Sequence, residues 1–67
     1  MRIDINGQPR TLPDGCTVEQ LVHAHLRLGA QACAVEVNKV LVPKKRHAEH
    51  RLDDGDRVEV VTLVGGG

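Results

Sequence analysis

Apolar and polar side chains alternate at the start of the chain: Met1, Ile3 and Ile5 are separated by Arg2, Asp4 and Asn6. That period of two marks a strand with one buried face. Asn6-Gly7 follows, and because both residue types tolerate positive φ the pair predicts a tight hairpin turn. A second strand, about residues 8–12, pairs back; Pro9 within it points to a sheet edge or a strand start. Pro13-Asp14-Gly15 is turn chemistry. The period then changes. Val18, Leu21, Val22, His25 and Leu26 share one face at a spacing of 3.6, Thr17 and Gln20 have capping-box spacing, and Gly29 is placed to end the helix in a left-handed conformation. Alternation returns with Cys33, Val35 and Val37 around Ala34 and Glu36. Asn38-Lys39 predicts a second tight turn, and Val40-Leu41-Val42 a short strand stopped by Pro43. Residues 44–50 are polar and read as an irregular or single-turn segment. Asp53-Asp54-Gly55-Asp56 is a further turn. Residues 58–64 form a last strand that runs directly into Gly65-Gly66-Gly67.

The predicted order is strand, strand, helix, strand, strand, strand. A hairpin crossed by one helix and followed by further strands is the ubiquitin-like β-grasp arrangement. The expected class is therefore α+β, a mixed sheet of four to five strands crossed by one main helix at about residues 18–28. Residues 1–64 are expected to form that domain, and residues 65–67 a flexible glycine tail.

With 67 residues, such a domain buries only about 60% of the surface its unfolded chain exposes, which leaves little room for a deep catalytic cleft. The reading is thus a carrier, binding module or subunit acted on by partner enzymes. The chain has no aromatic residue, so it lacks the stacking platforms of single-stranded nucleic-acid binders. Nine Lys and Arg balance nine Asp and Glu, so no net field draws nucleic acid or an anionic membrane. The Met1-Arg2-Ile3-Asp4-Ile5 start lacks the continuous apolar stretch of a secretion signal, and no apolar run is long enough to span a bilayer. The expected compartment is a reducing cytoplasm with Cys16 and Cys33 as free thiols.

Three consecutive glycines at the end of a chain have a chance expectation of about one in three thousand at average usage. A frayed terminus is the plain alternative. Glycine accepts any backbone conformation, so Gly65 and Gly66 suit a stem that threads a narrow channel and presents the Gly67 carboxylate at its far end. That carboxylate is ionised at neutral pH and unreactive as an acyl donor. Attack on the α-phosphate of ATP makes it an acyl-adenylate, and a sulfur nucleophile displacing AMP makes it a thiocarboxylate. If Val58 and Val60 face the core, Val61 and Leu63 face outward, an exposed apolar stripe of the kind that marks a binding face.

Asn38 and Val42-Pro43, then Leu52-x-Asp54-Gly55-Asp56-x-Val58-x-Val60-Val61, and the terminal Val64-Gly65-Gly66-Gly67 together resemble the sulfur carrier family of thiamine biosynthesis (ThiS), over essentially the whole chain. The resemblance implies that a ubiquitin-activating-type adenylyltransferase, using ATP and Mg²⁺, adenylates Gly67. It further implies a sulfur donor such as a cysteine desulfurase, and transfer of sulfur from the thiocarboxylate to thiazole synthase. The carrier itself would hold no cofactor. Val61, Leu63 and Val64 are the candidate partner contacts. His47 departs from the family, where an aromatic ring is common four residues after the proline. Related readings stay open: a β-grasp carrier feeding molybdopterin, cysteine or a natural product, a ubiquitin-like modifier joined to lysines, or an interaction domain with an inert tail.

The four histidines and two cysteines lack the paired spacing of a structural zinc site, so no metal is expected. His25 reads as a core or rim residue. Lys44-Lys45-Arg46 reads as a solvated loop or as an electrostatic contact for an acidic partner face, with nucleic acid disfavoured by the neutral, ring-free composition.

Overall fold

The computed structural model describes residues 1–29 and 32–62. Five strands form one sheet: β1 (Arg2–Ile5), β2 (Gln8–Thr11), β3 (Cys33–Val37), β4 (Val40–Val42) and β5 (Arg57–Thr62), in the spatial order β2-β1-β5-β3-β4. β1 and β5 run parallel; every other neighbouring pair is antiparallel. A helix covers one face, beginning as α1 (Val18–Gln20) and continuing through a π-helical stretch, Leu21–His25. The fold is the ubiquitin-like β-grasp, with the central place in the sheet given to β5.

Alternation explains the core. Ile3 and Ile5 of β1, Val35 and Val37 of β3, and Val58 and Val60 of β5 turn to the helix face and pack with Val18, Leu21 and Val22. Leu12, Cys16, Val42 and Leu52 close the margins of the same cluster. Both predicted hairpin turns are present, with positive φ at Asn6, Gly7, Asn38 and Lys39. Pro9 lies in β2, an edge strand, where a missing N–H is tolerated.

The helix N-terminus is fastened to the segment that follows β4. The Val18 amide donates to the His50 carbonyl (2.9 Å) and the Glu19 amide to the His47 carbonyl (3.0 Å). The Gln20 amide donates to Thr17 Oγ1 (3.2 Å), and Gln20 Oε1 accepts from the Thr17 amide (3.0 Å), completing the expected capping box. The first three orphan donors of the helix are thereby satisfied.

The C-terminal end departs from the expected span of 18–28. Leu26 donates to Leu21 (2.8 Å), a wide five-residue hydrogen bond, and Arg27 adopts φ 55°, so the helix ends ahead of Gly29. The reason is packing. Leu26 and Leu28 both rest against the core, yet on a regular α-helix two positions apart lie about 200° around the axis. Unwinding at Arg27 turns both leucines inward. Gly29 is left-handed (φ 60°), but in the connection to β3. The polar stretch after Pro43 is a 3₁₀ turn, Lys44–Arg46. His47 follows it, buried, with its ring Nε2 3.0 Å from the Val42 carbonyl. The imidazole thus fills the space with one polar tip satisfied by backbone.

Candidate functional site

The candidate site is the end of β5 together with the five residues beyond Thr62. Along β5, Val58 and Val60 are buried and Val61 is 59% exposed. Thr62 pairs with Cys33 and Val61 with Ala34. Leu63, Val64, Gly65, Gly66 and Gly67 lie outside the described residues, so the contact roles expected for Leu63 and Val64, the threading role of Gly65 and Gly66, and the attachment point at Gly67 remain readings of the sequence.

What the structure adds is how β5 is held. β1 ends at Ile5, whose partner is Val58, and β5 would lose its neighbour there. Asn6 takes over. Its amide donates to the Val58 carbonyl (2.9 Å), its side-chain Nδ2 donates to the Val60 carbonyl (3.1 Å), and its Oδ1 accepts from the Val60 amide (2.9 Å). One carboxamide serves as a stand-in peptide group and carries the ladder a step further. Sequence reasoning assigned Asn6 to the turn alone. The only available signal was the choice of Asn, which combines tolerance of positive φ with a donor and an acceptor.

The start of β5 is clamped by a larger network. Asn38 Oδ1 accepts from the Arg57 amide (2.9 Å), its Nδ2 donates to Asp56 Oδ1 (3.0 Å), and its own amide donates to the Arg57 carbonyl (2.7 Å). Asp56 Oδ2 accepts from the Asp53 amide (2.8 Å), and Asp54 Oδ1 from the Arg2 amide (2.6 Å). Gly55, at φ 88°, donates to the Arg2 carbonyl (2.7 Å). The Asn38 and Asp54-Gly55-Asp56 signature therefore ties three strands together at the N-terminal end of β5.

The sheet face away from the helix carries Val61 beside half-buried Ala34, and one register step along it Glu36 directly opposite Glu59. Like charges across a strand pair are mildly destabilising, and the pair sets two carboxylates one step along the face from Val61. Cys33 is half-buried; Cys16 is sealed in the core, where burial pushes its thiol pKa up and lowers its reactivity. Among the described residues no group of three or more His, Cys, Asp or Glu is arranged to hold a metal ion, and no helix is long and apolar enough to cross a membrane.

A family model described as the ThiS family matches residues 3–67. The chain belongs to the ThiS family. It is 30% identical to the sulfur carrier protein ThiS of Escherichia coli over 67 residues, all of each chain. The crystal structure of thiamine biosynthesis protein ThiS from Geobacter metallireducens superposes with a TM-score of 0.83 at 29% identity, again over all of both chains. A thiazole synthase of Paramagnetospirillum magneticum is 39% identical over 67 residues; the match takes in this whole chain but spans only 20% of that protein's length. The Asn38–Asp56 signature is structural, and His47 occupies a buried position.

Proposed function

We propose that this ThiS-family chain is a sulfur carrier for thiazole formation in thiamine biosynthesis, acting as a co-substrate of partner enzymes. The reading rests chiefly on one observation: the family match runs to Gly67, through three glycines that come just after the central strand of the sheet. The Gly67 carboxylate attacks the α-phosphate of ATP on a ubiquitin-activating-type adenylyltransferase, with Mg²⁺ supplied there, and pyrophosphate leaves. A sulfur nucleophile from a persulfide donor, such as a cysteine desulfurase, displaces AMP. The product is an acyl disulfide; a dithiol reductant, itself oxidised to its disulfide, cleaves the sulfur–sulfur bond, frees the donor's thiol and leaves a thiocarboxylate, whose sulfur passes to thiazole synthase. That a thiazole synthase contains a stretch 39% identical to this chain supports this acceptor over molybdopterin or cysteine.

In this mechanism the folded part contributes position. The five residues beyond Thr62 reach at most about 17 Å when extended, so the partner's nucleotide site lies within that distance of a docked β5. Gly65 and Gly66 form the stem that passes a narrow channel. Val61, continued by Leu63 and Val64, is the apolar contact, and the Glu36–Glu59 pair beside it selects a basic rim on the partner.

The test is intact-mass spectrometry of the chain incubated with its adenylyltransferase, ATP, Mg²⁺, a persulfide donor and a dithiol reductant. The expected product is heavier by one oxygen-to-sulfur exchange, located at Gly67 by fragmentation. An unchanged mass with an active partner, or recovery of Gly67 only in isopeptide linkage to lysine, would refute the carrier reading.

A further inference from the structure

The two edges of the sheet offer a partner different things. In β2, the register with β1 turns Gln8 and Arg10 toward β1 and leaves Pro9 and Thr11 facing outward. Proline has no N–H, so this edge lacks a donor where an added strand would need one. On the opposite edge, the Asn38 amide points to β5 through Arg57. Val35 and Val37 therefore turn to β4, Val40 and Val42 turn back to β3, and the N–H and C=O of Leu41 face outward. Among the described residues no strand pairs with that side of β4. An unpaired edge of this kind is a template for an added strand.

Side chains give the edge a second character. Val40 is 65% and Leu41 60% exposed. With Pro43, Arg46, Glu49 and His50 they line an open groove of about 380 Å³. Charge supplies the third. Five of the nine basic side chains, Lys39, Lys44, Lys45, Arg46 and Arg51, lie between positions 39 and 51 with one acidic residue, Glu49, although the chain is neutral as a whole. All five are exposed, and among the described residues Arg46 alone of them is engaged, by Glu49 at 3.1 Å.

We propose that the β4 edge binds an acidic, extended protein segment. Its backbone pairs with Leu41, an apolar side chain enters the groove beside Val40 and Pro43, and its carboxylates meet Lys44, Lys45 and Arg51. A second copy of this chain brings the same positive excess to the edge and is repelled. The edge lies two strands from β5, so it is available while the tail is engaged elsewhere, and the inference does not depend on the carrier reading.

The test is selection of displayed short random peptides against the full chain, without ATP or any activating enzyme. The expected binders carry Asp or Glu around an apolar residue, and titrating them shifts backbone amide resonances of residues 39–51. Leu41→Pro removes the outward donor, as Pro9 does on the other edge, and weakens binding by about tenfold or more. The pair Lys44→Glu and Lys45→Glu has the same effect on exposed side chains without touching the strand, and decides the matter if Leu41→Pro fails to fold. Failure to recover binders, recovery of neutral or basic ones, or indifference to both changes overturns the proposal. So does a single-stranded oligonucleotide that binds these amides and is not displaced by the peptides. A concentration-dependent dimer abolished by Leu41→Pro assigns the edge to a second copy and overturns it too.

Discussion

Between β1 and β2 the turn residues are Asn6 (φ 51°) and Gly7 (φ 82°); between β3 and β4 they are Asn38 (φ 51°) and Lys39 (φ 68°). The two turns share a length, a backbone shape and a leading asparagine, and both asparagines reach sideways to β5. They grip it at opposite ends. Asn38 works within a network that includes Asp56, Asp53 and Arg57. Asn6 works through one carboxamide on Val60, with no further side chain joining it among the described residues. The difference separates two duties that a small sheet must reconcile. The end with the network keeps the fold together. The end with the single clamp holds β5 in line at Val60, beyond the last residue of β1.

The sharpest way to break this comparison is to alter the tail end without altering the fold. One residue added after Gly67 moves the reacting carboxylate and is expected to reduce adenylation to background, with the unfolding free energy from urea titration changed by no more than about 0.5 kcal/mol. Adenylation that survives the extension removes the free-terminus mechanism and the functional half of the contrast. Next in size is Asn38→Ala. It loses two side-chain hydrogen bonds, worth about 0.5–1.5 kcal/mol each, and forces alanine into a left-handed backbone at about 1–2 kcal/mol. Equilibrium unfolding should show a loss of about 2–5 kcal/mol, and a loss near zero would mean that the network is incidental.

Asn6→Gly keeps the positive φ and deletes only the clamp. The expected cost is about 1–3 kcal/mol, and hydrogen exchange should show the Val60 amide opening while the Val35 amide, inside the β3–β4 pairing, stays protected. Uniform loss of protection across the sheet would show instead that Asn6, like Asn38, serves the whole fold. The smallest effect tests the second turn position. Lys39→Gly restores the Asn-Gly pair of the first turn and relieves a left-handed lysine; a gain of about 0.5–1 kcal/mol in unfolding free energy is expected, and a loss would show that the Lys39 backbone is not strained.

Strands and turns were readable in the sequence wherever one local rule governed them. Period-two alternation placed β1, β3 and the start of β5, and turn chemistry placed both hairpins, because these depend on neighbours in the chain. The helix end was not readable. It is set by a demand that both Leu26 and Leu28 reach the core, which overrides the continuation implied by their spacing and moves the break to Arg27. Asn6 shows a different limit. Its turn role was plain, but its bond to a residue 54 positions away requires the parallel pairing of β1 with β5, which no local pattern reveals. His47 stands out in the sequence as a departure from the family, yet its burial depends on the 3₁₀ turn that carries it under Val42. For the site, alternation anticipated the outward turn of Val61, whereas the carboxylate at Gly67 was reached from composition and family resemblance, not from folding.

The place of β5 in the sheet has a mechanical consequence. The glycines follow in the chain after β5, one of three strands with partners on both sides, here β1 and β3. A pull applied at Thr62 in the direction of the strand loads β5 along its own axis. The hydrogen bonds of the two ladders run across that axis, so they bear the load together as a shear joint and do not open one after another. A tail mounted on β2 or β4 would peel its strand from a single neighbour. Mounted where it is, the tail doubles as a tether whose anchor is the whole sheet.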